Sequence, residues 1–246
     1  MRSVSILGDS ISTYEGHNPP GYAVYYSGEV PAINGLRSVS DTWWAKVIQT
    51  LDASLCVNNS YSGSEVSGWS FPAGVSEERL DLLRSSRAEP DLILIYLGFN
   101  DFGYGVRICR SENAKSHDRD LSVFRDAYAF MLESLRRKYP ASAIVCGTLM
   151  RSAVKGRPNW RFPERMAGIS LERYNQEIRD AAVQQGCFLA DLSAMDLRYE
   201  TLDGAHPTID GHRVIAEAWI RRLTELGLLQ PSAGRGRDDA SEGERE

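Results

Sequence analysis

Asp91-Leu92-Ile93-Leu94-Ile95-Tyr96-Leu97-Gly98-Phe99-Asn100-Asp101 decides the fold. A strand with one wet face alternates polar and apolar residues. The run from Leu92 to Leu97 does not alternate, so both of its faces are buried, as in a parallel sheet covered by helices on either side. The run stops at Gly98, and polar Asn100 and Asp101 follow at once. They stand just past the carboxyl end of a strand, where open α/β sheets bind ligands.

Working outward, strand and helix patterns alternate. Val4 to Leu7 reads as a short buried strand. Asp41 is placed to cap a helix from Thr42 to about Leu51, with Trp44, Val47, Ile48 and Leu51 on one face. A second strand starts at Leu55. A helix from Ser76 to Ser86 carries Leu80, Leu82 and Leu83. A longer one runs from about Leu121 to Lys138, with Phe124, Tyr128, Met131, Leu132 and Leu135 at helical spacing. Ala143 to Leu149 makes a fourth strand. Ser170 opens a helix that ends near Gln185, with Gly186 at its C′ position. A fifth strand spans Phe188 to Leu192, and a last helix runs from about Thr208 to Leu226, stopped by Gly227. Five such units without a repeat predict an α/β fold: a three-layer α/β/α sandwich on a five-stranded parallel sheet, doubly wound and flavodoxin-like. Residues 1–230 are expected to form this domain. Residues 231–246, rich in Gly, Arg and acids, are expected to be a disordered tail.

Composition narrows the function. The chain has 246 residues and a net charge of −5, which argues against a general nucleic-acid binder. It has no long apolar stretch, so neither a spanning helix nor a signal peptide is expected, no membrane partner is implied, and a cytoplasmic location is the default. Cys56, Cys109, Cys146 and Cys187 form no C-x-x-C pair and read as buried free thiols.

Ser10 follows the first strand, Gly63 the second and Asn100 the third, while His206 precedes the last helix. All four are therefore expected at one edge of the sheet. A serine hydroxyl becomes a nucleophile when a base takes its proton. His206 suits that task, and Asp203, three residues earlier, can reach back to its Nδ1–H. The N–H groups of Ser10 and Gly63 and the side-chain amide of Asn100 can surround an oxyanion. Glycine at 63 lets backbone approach a substrate with no Cβ in the way.

With these residues in hand, the chain resembles the SGNH hydrolase superfamily, also called GDSL esterases and lipases. Gly8-Asp9-Ser10-Ile11 is similar to the first block, with Ile in place of Leu. Asn58-Asn59-Ser60-Tyr61-Ser62-Gly63 looks like the second, Gly98-Phe99-Asn100-Asp101 the third, and Asp203-Gly204-Ala205-His206-Pro207 the last. The resemblance covers residues 3 to about 226. It implies a triad of Ser10, His206 and Asp203, an oxyanion hole of Ser10, Gly63 and Asn100, the SGNH hydrolase fold, and no metal or organic cofactor.

Other residues have looser readings. Asp9 and Asp101 are expected to brace turns. His212 is expected on the surface of the last helix, and His17 and His117 in loops without an evident partner. Asp203, His206, Asp210 and His212 span too many turns to favour a metal site. Tyr14, Tyr22, Tyr25 and Tyr26 occupy the loop from Thr13 to Ser40, and either stack on a sugar or planar group or pack the loop itself. Arg151, Lys155, Arg157, Arg161 and Arg165, set against the single acid Glu164, either contact a substrate carboxylate or phosphate or form a solvated basic loop. Arg151 and Arg157 are the candidate contacts. The expected function is a serine esterase acting on a small O-acyl ester, such as an acetylated sugar or metabolite. An acyltransferase on the same residues and a non-catalytic carbohydrate or metabolite binder are the alternatives. The sequence leaves the oligomeric state open.

Overall fold

A computed structural model describes residues 2–110 and 119–229; the expected tail at 231–246 and His117 lie outside the described residues. In chain order the elements are β1 (Arg2–Gly8), α1 (Val30–Ile33), α2 (Trp43–Thr50), β2 (Ala53–Ser60), α3 (Glu77–Asp81), β3 (Leu92–Tyr96), α4 (Phe99–Tyr104), α5 (Phe124–Lys138), β4 (Ala143–Gly147), β5 (Arg151–Val154), β6 (Arg165–Met166), β7 (Ile169–Ser170), α6 (Leu171–Gln184), β8 (Phe188–Ala190), β9 (Arg198–Thr201) and α7 (Ile209–Glu225). The five strands of the main sheet lie in the order β2-β1-β3-β4-β8, and every pairing is parallel. The expected α/β architecture is present.

β3 sits at the centre and all five of its residues are buried, as its unbroken apolar run predicts. Helices α2 and α7 pack together on one face, and α5 packs with α3 and α6 on the other. On the first face, Trp43 of α2 and Trp219 of α7 stack with centroids 5.4 Å apart, and both meet the edge of Tyr96 on β3. Burying a large apolar side chain is worth roughly 1.5–3 kcal/mol, so such contacts fix α2 and α7 on the sheet. On the other face Phe124, Tyr128, Met131, Leu132 and Leu135 of α5 are all fully buried.

Three expectations change. The cap of α2 is Thr42, which accepts from the N–H of Ala45; Asp41 instead accepts the N–H groups of Arg37 and Ser38 and closes the preceding 3₁₀ turn. The helix after Ser76 is one short turn that ends at Asp81, and Leu82 beyond it is exposed. The segment after β4 makes two small sheets: β5 pairs in parallel with β9, and β6 with β7 as a hairpin. The β5–β9 pair matters for the site, because β9 delivers the chain to Asp203.

Candidate active site

The site starts where β1 ends. Sheet register sets Gly8 opposite Ser60 on β2 and Tyr96 on β3. A Cβ on Gly8 would lie 2.6 Å from Ser12 Oγ and 2.9 Å from Ser60 Oγ, so only glycine lets the chain turn here. The turn is a short 3₁₀ segment, Ser10–Ser12, capped by Asp9, whose Oδ1 accepts the N–H of Ile11 at 3.0 Å. Burial pushes the Asp9 carboxyl up to about 6, although that N–H and the nearby His206 and Arg79 act in the opposite sense. As expected, Asp9 braces a turn. Ser10, the first residue of that turn, keeps 7% of its surface exposed.

His206 reaches Ser10 from across the sheet edge. Its Nε2 lies 3.0 Å from Ser10 Oγ, and its Nδ1 lies 2.6 Å from Asp203 Oδ2. The other carboxylate oxygen of Asp203 accepts the backbone N–H groups of Ala205 and His206 at 2.9 and 2.8 Å. Partial burial acts to raise the Asp203 carboxyl, but His206 and these two N–H groups outweigh it and hold the group well below the usual carboxylate range. An ionised carboxylate only accepts, so Nδ1 carries the ring proton and Nε2 is left to accept from the Ser10 hydroxyl. The loop holding both residues is cinched at its base: Thr201 bridges to Pro207, and Thr201 Oγ1 accepts from the N–H of Gly204 and donates to Ala153 O on β5. Thr208 then caps α7.

The loops after β2 and β3 are clasped together beside Ser10. Asn100 Nδ2 donates to Ser64 O at 2.9 Å, which sets it against the backbone next to Gly63. Its neighbour Asp101 is fully buried and accepts from Val66 N–H at 2.7 Å, Ser67 N–H at 3.0 Å and Ser67 Oγ at 2.7 Å. Burial pushes the Asp101 carboxyl up to about 7 despite these three donors. Gly63 has φ +82°, a conformation that favours glycine. Among the described residues, the N–H groups of Ser10 and Gly63 meet no acceptor. Asn100 Nδ2 has a second hydrogen beyond the one given to Ser64. Ser10, Gly63, Asn100, Asp203 and His206 thus stand at the carboxyl ends of β1, β2 and β3 and on the loop before α7.

The other candidates divide. Tyr25 lies flat on the His206 ring, with centroids 3.4 Å apart and planes 9° apart, and its hydroxyl donates to Asp203 Oδ2 at 3.2 Å. Tyr26 is fully buried and donates to Pro207 O at 2.7 Å, so it braces the loop and offers no surface to a substrate. Tyr14 packs against the core, and Tyr22 meets Tyr61 and Phe71 edge-on. Arg151 pairs with Glu164 at 3.1 Å and Asp196 at 3.5 Å, and Lys155 with Glu200 at 3.1 Å. The basic segment therefore has acids from β9 and the preceding loop that linear sequence does not show beside it. Arg157 is exposed.

His212 is a clear correction. It is fully buried, its Nδ1 accepts the N–H of Trp43 at 3.2 Å, and burial pulls its imidazole down to about 3. Its position one turn into α7 faces α2, not solvent. Among the cysteines only Cys146 is fully buried; Cys109 is exposed. Sequence reading also missed Arg79, which is fully buried and donates to Gly8 O, Asn59 O and Pro72 O. It ties the ends of β1 and β2 beneath the site. The signal was its place beside Leu80 on α3, with Leu83 just beyond the helix, an apolar setting where a cation needs partners.

A hydroxyl, an imidazole and a carboxylate in line, with unpaired N–H groups alongside on an α/β/α sheet edge, define a hydrolase of acyl compounds as a class. The chain belongs to the family described as GDSL-like Lipase/Acylhydrolase, which matches residues 2–157. That span holds Ser10, Gly63 and Asn100; Asp203 and His206 lie beyond it. Solved structures agree. A protein described as a GDSL-like lipase from Bacteroides uniformis is 27% identical, covering 92% of this chain and 96% of that one at a TM-score of 0.67. Another from Bacteroides ovatus is 26% identical, covering 92% and 99% at 0.66. An active-site mutant of a family two carbohydrate esterase from Clostridium thermocellum shares the fold at 19% identity, covering 93% of this chain and 65% of that one, with a TM-score of 0.55. No curated protein matches the chain at a significant level.

Proposed function

We propose that the chain is a serine esterase working through an acyl-enzyme on Ser10. His206 Nε2 takes the hydroxyl proton as Ser10 Oγ attacks the ester carbonyl carbon. The oxyanion is met by the N–H groups of Ser10 and Gly63 and by Asn100 Nδ2. The C–O bond to the alcohol breaks, and His206 returns its proton to the leaving oxygen. A water then repeats the sequence, gives its proton to His206 and releases the acid. Asp203 holds the ring tautomer and stabilises the imidazolium throughout. The observation that carries this reading is the line Asp203 Oδ2–His206–Ser10 Oγ, at 2.6 and 3.0 Å.

The substrate class in this proposal is a small O-acyl ester, acetyl above all, of a sugar or metabolite. Aromatic surface beside the base supports it: Trp160 lies over Gly204, where an added Cβ would come within 3.0 Å of its ring. Such a face suits a sugar ring or small planar group. Hydrolysis of p-nitrophenyl esters from acetyl to octanoyl, compared with acetylated sugars, tests the substrate. Labelling with a fluorophosphonate and locating the adduct tests the mechanism. The expected results are fastest turnover of acetyl esters and a single adduct on Ser10. An adduct elsewhere, with Ser10→Ala still active, overturns the reading.

A further inference from the structure

We infer that Tyr25 is a positioning residue for the base, acting on His206 by ring and on Asp203 by hydroxyl. The inference rests on the esterase reading above. Two independent contacts carry it. The Tyr25 ring covers one face of the His206 imidazole, 3.4 Å away and within 9° of parallel. Its hydroxyl donates at 3.2 Å to Asp203 Oδ2, the oxygen that also faces His206 Nδ1. Tyr25 is itself held: its N–H donates to Thr13 Oγ1 at 2.9 Å, and its ring meets Tyr26 edge-on at 4.9 Å. Tyr26 in turn is anchored to Pro207 O, at the foot of the loop bearing His206.

The two contacts pull the imidazole in opposite directions. A neutral face-to-face ring pair is not the favoured aromatic geometry, because the two negative faces oppose one another. Once His206 takes the serine proton, the same geometry sets a cation over the face of a tyrosine, which is attractive. The ring thus favours the protonated base that forms during attack over the neutral base that precedes it. Cation–π energies translate into about 2- to 30-fold in rate. The hydroxyl does the reverse: by donating to Asp203 it draws off part of the negative charge that holds the imidazolium. Burial, then Asp203, pushes the Tyr25 phenol up to about 12, so it stays a donor wherever an esterase works. The charged and titratable groups around His206 are Asp203 on its own loop, Asp9 after β1 with Arg79 behind it, and Tyr25 and Tyr26 on the loop after Ser10.

The test separates ring from hydroxyl in the full chain. Tyr25→Phe keeps the ring and frees Asp203; Tyr25→Leu removes both. Each is followed by kcat and KM on p-nitrophenyl acetate, and by direct NMR titration of the His206 ring. The expected result is a kcat for Tyr25→Leu about 2- to 30-fold below that for Tyr25→Phe, at similar KM. The His206 midpoint should be lower in the Leu variant than in the Phe variant, and higher in the Phe variant than in the native chain. Equal kcat and equal midpoints for Phe and Leu would overturn the inference. In the native chain the His206 ring protons should be shifted upfield by the stacked ring; unshifted positions overturn it without any variant. Loss of the esterase reading has a separate signature: the native chain would turn over no ester, or Ser10→Ala would remain active, whatever Tyr25 does.

Discussion

The two sides of the site are mounted differently. The side bearing Ser10, Gly63 and Asn100 grows out of the sheet and is locked by buried polar groups: Asp9 is 1% exposed, and Asp101 and Arg79 are 0%. The side bearing Asp203 and His206 hangs on a short loop, and the Asp203 side chain is 43% exposed. Their carboxylates respond in opposite ways. Burial drives Asp9 and Asp101 up, to about 6 and about 7, whereas hydrogen bonds hold Asp203 down. The first pair are braces that tolerate a proton; the last stays charged beside the His206 ring. Depth of burial set against the donors at hand, not residue type, decides which way an aspartate shifts.

The strongest way to break this contrast is to delete one part from each side. Ser10→Ala should reduce kcat on p-nitrophenyl acetate by about 10⁴-fold or more, with the fold intact by circular dichroism. Asp203→Asn, which leaves shape but offers the wrong partner to His206, should cost about 10⁴-fold. Asn100→Ala should cost about 10²- to 10³-fold, since the Ser10 and Gly63 N–H groups remain. A smaller loss for Asn100 than for Asp203 is the order expected if the two sides divide the chemistry as drawn; the reverse order would contradict it.

Stability against pH sharpens the contrast further. Asp101 has a folded pKa near 7 against an ordinary 3.8, so its contribution is full below about 4 and is lost as pH rises through 7. Asp101→Asn removes that titration. Its Tm relative to the native chain should therefore improve from pH 4 to pH 8, whatever the offset from its altered hydrogen bonds. Asp203 has the opposite sign: its contribution is present above about 3.8 and is lost on further acidification. The Tm gap between native and Asp203→Asn chains should narrow below pH 4. Parallel pH trends for the two variants would erase the distinction. The smallest effect is expected on the basic segment. Arg151 is already paired, so Arg151→Ala should change KM for neutral esters by less than about twofold, and Arg157→Ala likewise.

Much of the sheet side was legible because its signals are local. An unbroken run such as Leu92–Leu97 names a central strand, and Gly8 and Gly98 mark where strands end. The order of Ser10, Gly63 and Asn100 along successive strands was enough to place them at one edge. What escaped depends on partners distant in sequence. The burial of His212 comes from α2, a helix some 170 positions earlier in the chain by its bond to Trp43. Tyr25 and Tyr26 are adjacent and chemically alike, yet one lies on the His206 ring and the other is buried and bonded to Pro207. Thr42 displaced Asp41 as cap because the 3₁₀ turn before α2 claimed the aspartate. β5 and β9 are too short to declare themselves and exist by pairing with each other.

The bridge from Thr201 to Pro207 has a mechanical consequence. It closes the segment around Asp203 and His206 into a small ring, stitched to β5 by the Thr201 hydroxyl. A ring of that size tilts as one piece and does not unravel from either end. Asp203 and His206 both lie inside that ring, so any displacement of the segment carries the carboxylate and the imidazole together.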